Sequence, residues 1–187
     1  MRFLNADELE AGLPDILTSP RDDGAVAMIV RRPATNKREV VESGELDVAD
    51  GLVGDNWSTR GSRMTNDGSA HPEMQLNLMN SRVIALVAGS RDRWALAGDQ
   101  LFVDLDLSRE NLPAGTRLAL GSAVIEVTAV PHLGCRKFKS RFGMESMKFV
   151  NSRRGKALCL RGINAKVVKA GRVSTGDSIR RVSTGRT

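Results

Sequence analysis

Leu101-Phe102-Val103-Asp104-Leu105-Asp106-Leu107 is a strictly alternating stretch. In an extended chain successive side chains point to opposite faces, so Leu101, Val103, Leu105 and Leu107 share one face while Asp104 and Asp106 share the other. Such a segment is a strand with one buried side, and comparable patterns surround it. Strands are expected over Ala25–Arg31, Arg38–Glu42, Met74–Met79, Leu101–Leu107, Thr116–Leu120, Ala123–Val130, Ile163–Lys169 and Ser178–Val182. Helical signals are fewer. Asn80 can cap Ser81–Gly89, with Gly89 as the stop; a short turn follows over Arg91–Leu96, and Phe142–Val150 has loosely helical spacing. Gly54-Asp55, Gly98-Asp99 and Gly176-Asp177 read as corners, and residues 58–72 as a long polar loop. The fold class is therefore mainly β with a few short helices.

A chain of 187 residues fits one domain and can bury a hydrophobic core without metal or disulfide staples. Its two cysteines, Cys135 and Cys159, form no Cys-x-x-Cys pair and point to free thiols in a reducing, cytoplasmic setting. The longest apolar runs, Ala25–Val30 and Val83–Ala88, are far too short to span a membrane as a helix. Charge is unevenly spread: residues 1–130 carry 13 Lys/Arg against 20 Asp/Glu, whereas residues 131–187 carry 15 against 2. The basic third suits an anionic partner, either a phosphorylated small molecule or a nucleic acid. Five Phe, two Trp and no Tyr leave few stacking platforms, which disfavours nucleic acid.

The basic third begins at Pro131-His132-Leu133-Gly134-Cys135-Arg136-Lys137-Phe138. Pro131 is expected to end sheet pairing, so Cys135 should project from a loop at the end of a strand. Lys and Arg side chains close behind it favour the thiolate, the form that attacks electrophiles and binds soft metals. A functional thiol and a merely packed cysteine are both open readings. His132 could orient or deprotonate the thiol, or be an ordinary surface histidine. Cys159, within Ala157-Leu158-Cys159-Leu160, is expected in the core, and His71 has no evident partner. Phosphate-binding glycine loops, a nucleophile elbow and a zinc-protease helix are missing, and two histidines exclude a three-histidine metal site.

The order of several short segments resembles the MOSC domain, the module at the C-terminus of molybdenum cofactor sulfurases and in stand-alone bacterial proteins. These are Gly51-Leu52-Val53-Gly54-Asp55, the run Asp106–Gly115 around Ser108-Arg109-Glu110-Asn111-Leu112, Gly121–Thr128, then Cys135, Arg161–Val168 and Gly171–Asp177. Two details depart from many members: Asn56-Trp57 follows Gly-Asp, and His132-Leu133-Gly134 separate Pro131 from Cys135. The resemblance implies a distorted β-barrel over residues 24–182, after an N-terminal extension (1–23) and before a flexible tail (183–187). It also implies that Cys135 ligates molybdenum through sulfur or carries sulfur as a persulfide. The implied cofactor is molybdenum cofactor (molybdopterin). Arg136, Lys137, Arg141 and Arg161 are candidates for its phosphate, and Ser108 and Asn111 for further hydrogen bonds. The implied activity is reduction of N-hydroxylated compounds or sulfur transfer, with an electron-donor or sulfur-donor protein as partner. Pyridoxal phosphate is not expected, because no lysine has a supporting site. The competing expectation is a non-catalytic basic barrel that binds a nucleotide or RNA.

Overall fold

The computed structural model describes residues 2–182. The strands are β1 (Gly24–Arg31), β2 (Glu39–Val41), β3 (Ser43–Asp47), β4 (Gly51–Leu52), β5 (Leu76–Asn80), β6 (Leu101–Asp104), β7 (Arg117–Leu120), β8 (Ala123–Pro131), β9 (Ile163–Lys169), β10 (Gly171–Ser174) and β11 (Ser178–Arg181). Around them lie α1 (Ala6–Leu17), α2 (Trp57–Arg60), α3 (Ser81–Ala88), α4 (Arg136–Phe142), α5 (Met144–Asn151) and α6 (Arg153–Ala157), with 3₁₀ turns at Pro72–Met74 and Arg91–Ala97.

The main sheet runs β11-β7-β8-β9-β5-β6-β1, and β11 pairs again with β1 at Gly24 and Ala25, closing a seven-stranded barrel. β2 continues the same sheet by pairing with the far end of β1, from Ile29 to Arg31. Most neighbours are antiparallel, but β5 and β6 run parallel because α3 carries the chain between them. A small second sheet, β10-β3-β4, is separate from it.

Leu101, Val103, Leu105 and Leu107 all lie in the barrel interior, as their alternation predicts, although regular pairing stops at Asp104. Phe102, on the opposite face, is fully buried too, against Trp94, Met79 and the helices. The barrel wall is thus covered outside as well as inside, which explains why β5 is buried at all five positions. In β1 a register shift between Val26 and Met28 puts Val26 and Ile29 inside while Met28 and Val30 face the outer layer.

The residues of the expected N-terminal extension include a capped helix. The Asn5 side chain accepts from the Glu8 N–H, and the Glu8 carboxylate accepts from the Asn5 N–H. Leu9, Leu13 and Ile16 then pack α1 into the outer core. Asn80 caps α3 and Gly89, at φ +73°, ends it, as expected. Three short strands escape the alternation pattern: β3, β4 and β10. The expected loop at 58–72 is shorter, since Ser58–Arg60 belong to α2 and Pro72 opens a 3₁₀ turn. The tail expected at 183–187 lies outside the described residues.

Candidate functional site

Pro131 ends β8, as expected, but is itself still paired, with Ile163 across a bulge that begins after Val127. A bulge tolerates proline because the ladder is already interrupted there. The Asn164 amide donates to Val130 O across the gap (3.0 Å). The chain leaves this bulge through His132, Leu133 and Gly134 and reaches Cys135, which caps α4 and carries an exposed, free thiol.

His132 has a partner of its own across the fold. Its ring is largely buried, and Nε2 lies 2.9 Å from Asp99 Oδ1. Asp99 is fully buried and also receives Arg161 Nη1 at 2.8 and 2.9 Å. Burial alone would raise the Asp99 carboxyl, but the Arg161 charge and the His132 contact hold it far below the ordinary range. An ionised carboxylate can only accept, so Nε2 carries the proton and Nδ1 is the basic nitrogen. Burial, followed by the nearby charge of Arg161, pushes the His132 pKa down, and the ring is neutral at pH 7. Gly162 makes room for it: at φ +112°, a Cβ there would lie 2.0 Å from Leu78 O and 3.2 Å from His132 Cδ2.

Four successive carbonyls beside Asp99 each receive an arginine. Ala95 O accepts from Arg38 (3.1 Å), Leu96 O from Arg141 (2.6 Å), Ala97 O from Arg161 (3.0 Å) and Gly98 O from Arg32 (2.9 Å). Ala95 O also accepts from the Gly98 N–H (3.3 Å), and these carbonyls lie at the C-terminal end of the Arg91–Ala97 turn, its negative pole, where cations are favoured. Two of these charges are neutralised. Asp55 grips Arg32 with both oxygens at 2.8 Å, and Asp99 holds Arg161. Arg38 and Arg141 have no carboxylate within ion-pair distance among the described residues, and neither does Arg60 nearby. Partial burial, then the charge of neighbouring guanidiniums, lowers the pKa of Arg38 and Arg60. An excess of positive charge is therefore held beside the barrel at one end of α4.

Among the residues singled out in the sequence, Cys135, Arg136, Lys137 and Arg141 are brought together on α4 and its cap. Arg136 and Lys137 are exposed next to the thiol, while Arg141 belongs to the arginine cluster. Arg161 is buried and committed to Asp99. Asn111 is also buried: its amide donates to Arg21 O and Asp106 O, and its oxygen accepts from Arg181. Ser108 Oγ accepts from the Asn111 N–H (3.3 Å), so both side chains hold the 106–111 loop. Arg38, Arg60, Asp55 and Asp99 carry much of the electrostatics and were not singled out. Cys159 is half-buried rather than fully core, at φ +48°, and burial raises its pKa.

Two cysteines and two histidines are spread apart, and no group of three His, Cys, Asp or Glu side chains among the described residues could by itself hold a metal ion. No helix among them is long and apolar enough to cross a membrane.

The comparisons agree with this architecture. The barrel resembles YuaD from Bacillus subtilis at a TM-score of 0.57, with 17% identity over 83% of this chain and 93% of that one. It also resembles YiiM from Escherichia coli (TM-score 0.54, 20% identity, 87% and 72% covered) and YiiM from Geobacillus stearothermophilus (0.52, 12%, 88% and 74%). At these identities the likeness shows the fold. No curated protein matches. The MOSC domain pattern matches residues 72–180, more than half of the chain, and the protein belongs to the MOSC domain family.

Proposed function

We propose that this protein binds a molybdenum cofactor through the Cys135 thiolate and acts in reduction of N-hydroxylated compounds or in sulfur carriage. The observation that carries the reading is the arrangement along α4. An exposed thiol stands at its N-cap, and its last turn delivers Arg141 to a cluster of guanidiniums with surplus charge. At 1.5 Å per residue these two positions are about 9 Å apart along the helix. The residues fit a ligand that is sulfur-rich and metallic at one end and carries a phosphate at the other. Thiolate is a suitable soft ligand, and guanidinium matches phosphate oxygens in charge and shape. A metal here would bring its other ligands with it.

When bound, such a cofactor supplies two-electron redox chemistry at molybdenum. The chain itself contributes the rest. Arg136 and Lys137 stand exposed next to the thiol, and Arg38, Arg60 and Arg141 would receive the phosphate. Asp99 fixes the orientation and tautomer of the His132 ring, which burial keeps neutral. In the sulfur-carrier version the Cys135 thiolate attacks the outer sulfur of a cysteine persulfide on a donor protein; the donor S–S bond breaks, the donor leaves as its thiolate, and Cys135 holds the sulfur as a persulfide. In either version a protein partner supplies electrons or sulfur, and a cytoplasmic location suits two free thiols.

The test is metal and pterin content in protein isolated from a host that makes the cofactor. Molybdenum in proportion to protein, lost in Cys135→Ala, is expected for the reductase. Absence of molybdenum from the wild type rejects it, and a cyanide-labile sulfur on Cys135 then identifies the carrier.

A further inference from the structure

A cavity of about 300 Å³ opens between the ends of β8 and β9, the 109–114 loop and α6. Its wall is largely apolar, from Leu112, Val127, Val150 and Ile163, and its size falls at the lower limit of small-molecule pockets. No carboxylate lines it. Three cations do: Arg161, and at the rim Arg109 and Lys156, both exposed and without an ion-pair partner among the described residues. Most of the other polar groups are engaged, His132 through Nε2 on Asp99, but Arg161 Nε is buried without a hydrogen-bond partner. Asn164 bonds to Val130 O and Asn77, Thr128 Oγ1 donates to Glu73 O, and Arg161 is held by Asp99.

The inner wall is built against a backbone preference. α6 ends in a Schellman turn, in which Leu160 N–H donates to Gly155 O (2.9 Å) and Cys159 N–H to Lys156 O (3.4 Å). The left-handed position of that turn usually belongs to glycine, but Cys159 occupies it and its side chain helps to line the cavity. Such strained residues cluster where a ligand is clamped. Gly155 supports the same wall: a Cβ there would lie 2.3 Å from Phe149 O.

We infer that this cavity is a binding site for a small amphipathic anion, a phosphate, sulfonate or carboxylate on an apolar body. The apolar part fills the space beneath Leu112 and Val150, and the anionic group meets Arg109 and Lys156. The inference does not depend on the cofactor reading, because Cys135 and the Arg38, Arg60 and Arg141 cluster do not line this cavity.

Amide chemical shifts of the whole chain, titrated with phenyl phosphate, benzenesulfonate and benzoate, test it, with benzyl alcohol as the neutral control. Saturable shifts at Gly155, Gly162 and Thr128 in the millimolar range are expected with at least one anion, which identifies the preferred head group. Lys156→Met and Arg109→Gln should each weaken binding about tenfold, the effect of losing one charge-assisted contact. Both residues are exposed, so the variants should keep the wild-type spectrum elsewhere. Equal binding of benzyl alcohol, no saturable shift with any probe, unchanged affinity in both variants, or shifts confined to Arg38, Arg60 and Arg141 would each overturn the inference.

Discussion

Asn151 closes a ring of two hydrogen bonds on Gly134: Gly134 N–H donates to Oδ1 at 2.8 Å, and Nδ2 donates to Gly134 O at 3.0 Å. One side chain from the end of α5 thus holds both polar groups of the residue that precedes Cys135, as a neighbouring strand would. Gly134 permits the approach, since a Cβ there would come within 3.1–3.3 Å of Val150 and Asn151. Asn151→Ala should lower stability by about 1–3 kcal/mol by leaving these groups unpaired. It should also change the rate at which Cys135 reacts with a thiol reagent. Urea unfolding and labelling kinetics read the two effects separately.

The two thiols should differ sharply in native protein. Cys135 is exposed, whereas Cys159 is half-buried with its pKa raised by burial. Labelling at pH 8 should show one fast equivalent, absent from Cys135→Ala, and a second that appears at the rate of opening or unfolding. Two equally fast equivalents would contradict the structure.

Asp99→Asn should be among the most damaging single changes. It leaves the Arg161 guanidinium buried without its counter-charge, a loss of about 3–5 kcal/mol. Adding Arg161→Gln to that background should restore part of the stability, which a double-mutant cycle in urea measures.

Stability should also fall in mild acid. The His132 pKa is depressed from 6.5, chiefly by burial and then by Arg161 and Arg32, with Asp99 opposing. Below pH 6.5 the unfolded chain takes up a proton that the folded ring refuses, so stability decreases as pH falls from there toward the folded pKa. The slope is limited to about 1.4 kcal/mol per pH unit for one group. Asp99, held below 3.8, acts lower down: its contribution is complete above that pH and is lost as the pH falls toward its folded value. Urea midpoints at pH 7.5, 6 and 5 check the first part, and His132→Gln should flatten that interval.

Cys159→Gly should be neutral or stabilising, because it removes a left-handed penalty of about 1–2 kcal/mol that offsets the lost side-chain packing. Cys159→Val should cost more than that, since a β-branched residue resists this conformation most. Thermal unfolding should place Cys159→Gly at or above the wild-type midpoint and Cys159→Val below it.

Much of the barrel was legible because one buried face imposes alternation on the strands, as in Leu101–Leu107. What escaped has definite causes. β3 has only Leu46 buried, so its pattern is too thin to read. Pro131 does terminate β8, but the bulge before it and its pairing with Ile163 cannot be recognised without the partner strand. Gly54-Asp55 and Gly98-Asp99 do mark turns, but their carboxylates neutralise Arg32 and Arg161 across the fold. With 28 Lys and Arg in the chain, nothing local separates those two from surface charges. Cys135 and Arg141 are both singled out by the sequence, but the helix that joins them, α4, is not expected from it, since the helical spacing falls over Phe142–Val150; Arg38 and Arg60 meet them only through tertiary structure.

The meeting of β1 with β11 has a kinetic consequence. Gly24 and Ala25 find their partners more than 150 residues later, at Ile179 and Ser178. During synthesis the barrel stays an open sheet with bare edges until that last strand emerges, and so long a loop must close before any reward is gained. Refolding should accordingly be slow, in the millisecond-to-second range, and most vulnerable to aggregation just before completion.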